Sequence, residues 1–561
     1  MLAIAGAARA APNPPPPEAN PCPDVDAPLA LGSAQWNGWG RDVENTRYQP
    51  EPALRATDVP KLGLKWSFGF QGSAAAGQPT VVDGRLFLLS STGRVYSLDA
   101  RTGCTYWTFD APTGARTAIS IGEFAPPRNA VAPRIADAPR RKKGRAAKKT
   151  HHSIHQMTDA HLEIFKAPSG AFFGDDSGAV YALDAQKGTL LWKTQADVHP
   201  TARIVGAPTL HHDRLYVVVG SSEAALAGEP TYACCSFRGS VLALDMATGH
   251  VLWQTYVLPD EPRALHGTAA GAAGFGPAGA AITTAPTIDV KRNVLYVGTG
   301  SALTGLDQPL ADAVVALDLS TGQVRWSRQF PRHDKPGAAQ FDSSPILRTL
   351  ADGRQILLAG QKSGIVFGLD PDRGGEVLWQ THSGEGAMSA GIEWGPAADH
   401  RRLYVGLSGL AAEPENSSGG LAALDIKTGI RRWYTAAPVP ACSWGPQNCN
   451  HAEAQAVTVI PGVAFSGSMD GHLRAYSTID GKILWDTDTA KDFQTVNGIK
   501  ASGGTLDQGG ATIVNGVVYI NSGYGQRSGQ PAGMGQPAGM GQPTGMGQPG
   551  NVLLAFSVDG K

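Results

Sequence analysis

The sequence predicts an all-β protein, an eight-bladed β-propeller closed by pairing of its N- and C-terminal strands. The first observation is a repeat of the form L-D-x-x-T-G-x-x-x-W, kept strictly in some copies and loosely in others. Seven copies place a Trp four residues after a Gly. An eighth copy stops at Lys561 before its Trp, whereas Trp66 has no copy before it, so the two ends complete one blade. The 70 Gly and 40 Pro suit a turn-rich β protein.

Each repeat is interpreted as a β-hairpin. A strand of alternating apolar residues precedes a tight turn in which Gly takes a positive φ, and a second strand carries the Trp. A hairpin cannot bury its face alone, so the units must stack, and radial closure hides the sheet edges. Because the Trp residues recur at one spacing, we interpret them as packing residues between blades rather than as ligand-binding aromatics.

Composition limits the function classes and the location. Charged residues make up 17% of the chain and the formal net charge is −1, which gives no indication of nucleic-acid binding. Residues 1–21 are predicted to be a signal-peptide remnant with a Pro-rich disordered stretch, although a disordered N-terminus alone is the alternative. Residues 22–561 are predicted to form a single propeller, periplasmic or secreted, with no membrane span. Six cysteines suit disulfides in an exported protein, and no C-x-x-C-H motif indicates covalent haem.

Two compositionally biased insertions, near 123–165 and 526–550, are predicted to be disordered. The first contains the basic run 138–150 followed by HHSIHQ, and the second contains tandem G-Q-P-A-G-M units. Solvated loops are the simplest interpretation. Alternatively, the basic run docks an acidic partner or a membrane surface and the histidines bind metal.

Beyond the repeat, the chain resembles the pyrroloquinoline quinone (PQQ) dependent alcohol dehydrogenases, specifically the polyvinyl-alcohol dehydrogenase branch that lacks a cytochrome c domain. The resemblance runs from Trp36 to Lys561. The segments that carry it are WNGWGRDVENTRYQP, GARTAIS, YACCSFRGSVLALD, APTIDVKRNVLYVGTG and GQKSGIVFGLDPDRGGEVLWQT. This resemblance implies a planar quinone cofactor, a cation that polarises its carbonyl, and a base for the alcohol proton.

The resemblance also implies the cofactor contacts. A disulfide between neighbouring cysteines forms a rigid lid on one face of PQQ, arginines and a hydroxyl meet its carboxylates, and a lysine reaches its quinone oxygens. The predicted cofactor-binding residues are Cys234, Cys235, Arg116, Thr117, Arg238, Lys362 and Trp394, the last beside Glu393. Thr283-Thr284 stands in a stretch where the resemblance leads us to expect a Trp. Reduced buried cysteines, a surface Arg and a solvated Lys are the alternatives.

Calcium is the implied metal, and it prefers hard oxygen ligands. Glu223, Ser301 and Asp312 are the predicted ligands, with Ser301 standing where relatives have Asn or Asp. The predicted catalytic base is Asp312 or Asp307, with Asp312 preferred, although either residue is also explained as a strand or turn cap.

The spacing of the remaining cysteines permits two structural disulfides. Cys442 and Cys449 are seven residues apart and can pin a loop over one propeller face. Cys22 and Cys104 can tether the N-terminus to the first blade. We hypothesise both pairs.

The predicted activity is PQQ- and Ca²⁺-dependent oxidation of secondary alcohol groups, such as those of polyvinyl alcohol, to ketones. Because no haem motif is present, electrons are expected to pass to a separate cytochrome c. The alternative is a non-catalytic envelope propeller that scaffolds or binds proteins and has lost its cofactor, as Ser301 and Thr283-Thr284 suggest. Binding of PQQ and the redox state of Cys234 and Cys235 separate the two.

Overall fold

The structure is a computed structural model. It describes residues 20–24, 29, 35–72, 74–124, 169–227, 229, 231–265, 274–304, 308–330, 339–383, 391–408, 419–440, 442–445, 449–524 and 547–561. The greater part of both predicted insertions, 125–168 and 525–546, lies outside these ranges, so their disorder stays a prediction. Within the described part of the chain, no helix is long and apolar enough to cross a membrane.

Eight antiparallel sheets form the eight blades, so the predicted all-β propeller is confirmed. Each blade is given from its inner to its outer strand. Blades 1 to 4 contain Ala75–Val82, Arg85–Ser90, Arg94–Asp99 and Thr105–Asp110; Ser120–Glu123, Ser169–Gly174, Ala179–Asp184 and Leu190–Gln195; Thr209–His211, Arg214–Ser221, Ser240–Asp245 and Val251–Tyr256; and Thr287–Asp289, Val294–Gly298, Ala313–Asp318 and Val324–Gln329.

The second half of the ring follows the same plan. Blades 5 to 8 contain Ile346–Thr349, Gln355–Gly360, Ile365–Asp370 and Glu376–His382; Ala397–Ala398, Arg402–Leu407, Gly420–Asp425 and Arg431–Ala436; Thr458–Ile460, Val463–Gly467, His472–Ser477 and Ile483–Asp488; and Thr512–Val514, Val517–Ser522, Val552–Val558 and Leu62–Gly69.

Several short elements are present in addition to the four strands of each blade. They are the strand Ala202–Arg203 on blade 3, the hairpins Arg263–Leu265 with Gly274–Gly276 and Asp492–Phe493 with Ala501–Ser502, the α-helical turn Glu223–Leu226, and the 3₁₀ turns Val59–Lys61 and Pro371–Arg373.

Blade 8 closes the ring as predicted. Its outer strand Leu62–Gly69 comes from near the N-terminus and pairs antiparallel with Val552–Val558, with Trp66 opposite Ala555. Trp66 therefore supplies the Trp that the eighth repeat lacks.

The turn between blade 4's two outer strands shows how the repeat stacks one blade on the next. The Asp318 carboxylate accepts hydrogen bonds from the backbone of Ser320 and from the backbone and hydroxyl of Thr321. Gly322 follows at φ +73°, and a Cβ there would lie 2.4 Å from the Trp253 ring of blade 3. The Trp253 indole N–H also donates to the carbonyl of Leu319. Only a residue without a side chain fits this turn.

The same contact recurs around the ring. A Cβ on the turn glycine would lie within 3.0 Å of the preceding blade's Trp in the pairs Trp66 and Gly103, Trp107 and Gly188, Trp192 and Gly249, Trp326 and Gly375, Trp379 and Gly429, and Trp433 and Gly481. The inter-blade packing role predicted for the tryptophans is therefore confirmed.

Blade topology places the described candidate residues on one face. In a four-stranded antiparallel blade, the link between the second and third strands and the link to the next blade lie on the same side. We call this side the upper face. The upper-face links carry Arg116, Thr117, Glu223, Cys234, Cys235, Arg238, Ser301, Asp312, Lys362 and Trp394.

The N-terminal segment 36–49 fills the central channel. Backbone hydrogen bonds join Trp36 to Val81 on the inner strand of blade 1 and Gln49 to Val459 on that of blade 7. Further backbone or side-chain bonds reach Ile121, Ile288, Leu347, Ala398 and Ile513, so that seven blades touch the segment. This segment forms the floor on which the site is built.

The two hypothesised structural disulfides are present. Cys22 is bonded to Cys104 in the lower-face turn of blade 1, and Cys442 is bonded to Cys449 in the link between blades 6 and 7. Cys22 N–H also donates to the Thr105 carbonyl, which extends the tether by a backbone contact.

Candidate active site

A pocket lies on the propeller axis at the upper face and has Trp39 of the channel segment in its floor. It encloses about 380 Å³, counting its open mouth. The rest of the lining comes from Gly77 in the inner strand of blade 1 and from the links between successive blades: Arg116, Ala118, Val205, Gly206, Ala207, Thr283, Thr284, Ala285, Trp394, Gln508 and Gly509. A cavity of this size, largely apolar and with a few converging polar groups, is suited to a small planar ligand.

Two aromatic rings and two unpaired donors give this pocket its chemistry. The Trp39 and Trp394 ring centroids are 6.5 Å apart with the planes at 54°. Arg116 Nε and Thr284 Oγ1 are buried and have no hydrogen-bond partner in the structure. Because an unpaired buried polar atom is costly, these groups fit a ligand that brings acceptors such as carboxylate oxygens.

The mouth of the pocket is rich in positive charge. Arg116 is held by a 3.1 Å salt bridge to Asp176 of blade 2. Arg203 lies nearby, and burial lowers its pKa. The Asp176 carboxylate raises the pKa of Arg203, whereas the Arg116 guanidinium lowers it further. Two arginines thus share one carboxylate, which favours an anionic ligand.

Asp342 and Lys362 form an ion pair at the pocket edge. Lys362 Nζ lies 2.6 Å from Asp342 Oδ2, and the two side chains are 14% and 25% exposed. Gln340 Nε2 donates to the same oxygen, and the hydroxyl of the lining residue Thr283 approaches Asp342 Oδ1 at 3.5 Å. A partly exposed carboxylate is thereby held beside a cation and next to a residue that lines the pocket.

Glu223 lies in the same link as the adjacent cysteines. Cys234 and Cys235 are disulfide-bonded, as the resemblance implies. Both oxygens of the buried Glu223 carboxylate accept hydrogen bonds from this loop, Oε1 from Ser236 N and Tyr232 OH, and Oε2 from Phe237 N. Burial, and after it the hydrogen bond to the Glu223 carboxylate, raises the pKa of the Tyr232 hydroxyl to about 12.

Ser301 and Asp312 also bond to each other. Ser301 Oγ donates to Asp312 Oδ1 at 2.6 Å, and the Asp312 side chain is 1% exposed at a backbone φ of +51°. Among the described residues, no three His, Cys, Asp or Glu side chains form a group that could hold a metal ion. Asp307 lies outside the described residues.

Two predicted cofactor contacts are engaged elsewhere. Arg238 donates to the carbonyls of Leu258 and Pro259, and its guanidinium lies 4.2 Å from the Tyr256 ring centroid. Thr117 is buried and accepts from Gly174 N. Neither residue is part of the pocket lining, whereas Arg116 and Trp394 of the predicted cofactor contacts are.

Sequence reasoning missed Trp39 and Asp342. Trp39 stands in the channel segment and supplies an aromatic surface in the pocket, where Thr283-Thr284 had left one in doubt. A repeat-aligned signal was available for Asp342: it stands three residues before Pro345, as Thr283 does before Pro286. Thr283 lines the pocket and its hydroxyl approaches Asp342, which places the corresponding positions of two successive links side by side.

The chain matches the family described as glucose/ethanol/alcohol dehydrogenase, beta-propeller domain, over residues 36–385, and it belongs to this family of PQQ-dependent quinoprotein alcohol dehydrogenases. Within the family, it is 40% identical over 557 residues to a polyvinylalcohol dehydrogenase of Pseudomonas sp, covering 96% of this chain and 80% of the relative. The polyvinylalcohol dehydrogenase of Sphingopyxis sp. strain 113P3 is 39% identical, with coverage of 97% and 80%. The chain is therefore an enzyme of PQQ-dependent alcohol oxidation.

Solved structures agree on the fold. The quinohemoprotein alcohol dehydrogenase ADHIIG of Pseudomonas putida HK5 superposes with a TM-score of 0.65 at 17% identity, covering 94% of this chain and 81% of that one. The quinohemoprotein alcohol dehydrogenase of Comamonas testosteroni gives a TM-score of 0.59 at 20% identity, with coverage of 96% and 82%.

The pocket residues fit the family's cofactor. PQQ is planar and carries carboxylates, and the pocket offers indole surfaces together with the unpaired donors of Arg116 and Thr284. The predicted calcium ligands fit their metal less well, since the oxygens of Glu223 are occupied by the disulfide loop and Ser301 is bonded to Asp312.

Proposed function

We propose that this protein is a periplasmic dehydrogenase that oxidises secondary alcohol groups of a polymeric alcohol to ketones and passes the electrons to a separate cytochrome c. The observation that carries the proposal is one pocket with two indoles and unpaired donors beside the Asp342–Lys362 ion pair. The floor of this pocket would hold the planar, carboxylate-bearing PQQ, and Asp342 at its edge would accept a proton.

PQQ, when bound, supplies an oxidant that accepts the hydride of the alcohol carbon. Arg116 and Thr284 would hold its carboxylates, and Trp39 and Trp394 would contact its rings. Lys362 would place a cation beside the pocket, where it would stabilise the negative charge that accumulates during reduction.

Asp342 is the base we propose. In the oxidation of a secondary alcohol the hydroxyl loses a proton while the adjacent C–H bond leaves as hydride, so the carbonyl π bond forms from the O–H electron pair. Asp342 receives the proton, because its carboxylate is partly exposed and faces the pocket edge. Asp312 is 1% exposed and so cannot meet a substrate hydroxyl as readily, which makes it a weaker candidate than we predicted from sequence.

The substrate and the location rest on different observations. The names of the two relatives near 40% identity support polyvinyl alcohol as the polymer. The three disulfides support an oxidising compartment such as the periplasm. The cytochrome c acceptor rests on the name of the relative lupanine 17-hydroxylase [cytochrome c].

We also propose that the protein binds Ca²⁺, with Glu223 as its first ligand. Metal analysis of the PQQ-loaded protein against a Glu223→Gln variant tests this part: one equivalent of Ca²⁺ in the native protein and none in the variant supports it, and equal content in both refutes it.

The decisive experiment reconstitutes purified apoprotein with PQQ and Ca²⁺ and follows dye reduction with polyvinyl alcohol and with 2,4-pentanediol. We expect tight PQQ binding and turnover of both substrates, with carbonyl product detected by hydrazine derivatisation. Lack of PQQ binding, or binding without oxidation of any secondary alcohol, refutes the proposal.

A further inference from the structure

Beneath the floor of the pocket lies a buried arginine that the mechanism above does not use. Arg47 belongs to the channel segment and is 1% exposed. Its guanidinium carbon lies 4.8 Å from the ring centroid of Trp39 and 5.5 Å from that of Trp36. Because Trp39 lines the pocket, Arg47 is separated from a bound ligand by one layer of side chains.

The hydrogen bonds of Arg47 all go to neutral acceptors. Nε donates to the carbonyl of Val457 at 2.6 Å and Nη1 to that of Trp39 at 2.7 Å. Nη2 donates to Gln78 Oε1 at 3.1 Å and to Thr458 Oγ1 at 3.2 Å. In the part of the chain that the structure describes, no carboxylate forms an ion pair with this guanidinium.

A second fully buried arginine among the described residues gives a contrast. Arg474 of blade 7 is also 1% exposed, but Asp470 lies 2.9 Å, Asp486 3.1 Å and Glu453 3.7 Å from its guanidinium. A buried charge normally needs such partners. Burial lowers the pKa of Arg47, with no carboxylate to offset it, whereas the carboxylates around Arg474 raise the pKa of that residue against its burial.

Residues of the pocket lining, or next to it, pack closely around Arg47. Gln78 follows the lining residue Gly77, and a Cβ on Gly510, next to the lining Gly509, would lie 2.6 Å from Nη2 of Arg47. Gly395, next to the lining Trp394, has Arg47 Cδ 3.9 Å from the place of its own Cβ. These close approaches place the Arg47 side chain directly against the backbone next to the pocket lining.

We propose that Arg47 is the buried counter-charge of the cofactor pocket and determines its specificity for a polyanionic planar ligand. The inference rests on the proposed function, since the ligand is taken to be PQQ. Arg116 and Arg203 attract the same ligand from the mouth, where salt screens their charge, whereas the charge of Arg47 acts through a region of low dielectric constant and is screened little. Arg47 is a positioning and specificity residue because it does not touch the ligand.

Titration of apoprotein with PQQ, followed by quenching of tryptophan fluorescence, tests the inference. Arg47→Gln is expected to weaken PQQ binding at least tenfold and to leave binding of the uncharged PQQ trimethyl ester within twofold. Thr458→Val is the matched control, because it removes one acceptor of the same guanidinium and keeps the charge; its PQQ affinity should stay within threefold of the native value. Circular dichroism and thermal unfolding verify that each variant is folded.

Equal PQQ affinity in native protein and folded Arg47→Gln refutes the inference, as does an equal loss for PQQ and its ester, which would indicate altered shape alone. If Arg47→Gln does not fold, Arg116→Gln is measured instead. Because Arg47 is still in place, the Arg116→Gln variant should bind PQQ at least tenfold more tightly than the ester in 0.5 M NaCl. Loss of that preference refutes the inference. Native protein that binds no PQQ refutes the proposed function itself, so the two failures are distinguishable.

Discussion

Replacement of Asp342 by Asn tests the proposed base most directly. Asn is nearly isosteric, and its amide oxygen can still accept from Lys362 Nζ, which lies 2.6 Å from the native carboxylate. The variant therefore keeps the shape of the pocket edge and loses the negative charge and the proton affinity of the carboxylate. General base catalysis contributes roughly 10²- to 10⁴-fold, which corresponds to about 3–5 kcal/mol of activation free energy. We expect kcat to fall within that range while the Kd for PQQ changes less than threefold.

The assay is steady-state dye reduction by the PQQ-loaded enzyme with 2,4-pentanediol, accompanied by PQQ titration. Asp342→Glu should recover part of the rate, because it restores a carboxylate, and a purely structural role would not predict that recovery. Asp312→Asn is the matched comparison: its buried carboxylate holds Ser301, so it should lose stability and keep kcat within tenfold. A folded Asp312→Asn enzyme without activity, next to an active Asp342→Asn enzyme, would assign the base to Asp312 and refute our reasoning.

Two further predictions concern stability. Gly322→Ala should lower the free energy of unfolding by more than about 2 kcal/mol, because φ +73° costs a residue with a side chain roughly 1–2 kcal/mol and its Cβ would also lie 2.4 Å from the Trp253 ring. Gly353→Ala is the control, since Gly353 has φ +82° with open space around it and should show the backbone cost alone. Equal losses of the two variants in urea unfolding would contradict the packing argument. The hydrogen bond from His472 to Asp486 raises the pKa of His472 above its ordinary value near 6.5. The stabilisation of the fold by this charged histidine is therefore complete below pH 6.5 and is lost as the pH rises through the raised pKa. His472→Gln should remove this pH dependence from the free energy of unfolding measured between pH 5 and 9, and an unchanged pH dependence would contradict the prediction.

The sequence predicts the ring well because the repeat carries the physics of each blade locally. Asp318, Thr321 and Gly322 form their turn within five residues, and the Trp spacing fixes which blade face meets the next. Blade count, closure through Trp66 and the disulfide pairs all follow from such local patterns.

The site is predicted less well because it is assembled from single residues of many links. Arg116, Lys362 and Trp394 were found through motifs, but their mutual positions depend on the ring as a whole. Trp39 and Arg47 lie in a segment without periodicity, and their importance becomes visible only when the segment is seen to fill the channel. Which carboxylate is accessible is likewise a tertiary property.

Closure through blade 8 has a consequence for the order of folding. Leu62–Gly69 pairs with Val552–Val558, and most of the chain lies between these strands, so the ring cannot close until the last repeat has been synthesised. Until then the first strand has no partner, and the open ends of the array expose sheet edges that invite pairing with other molecules.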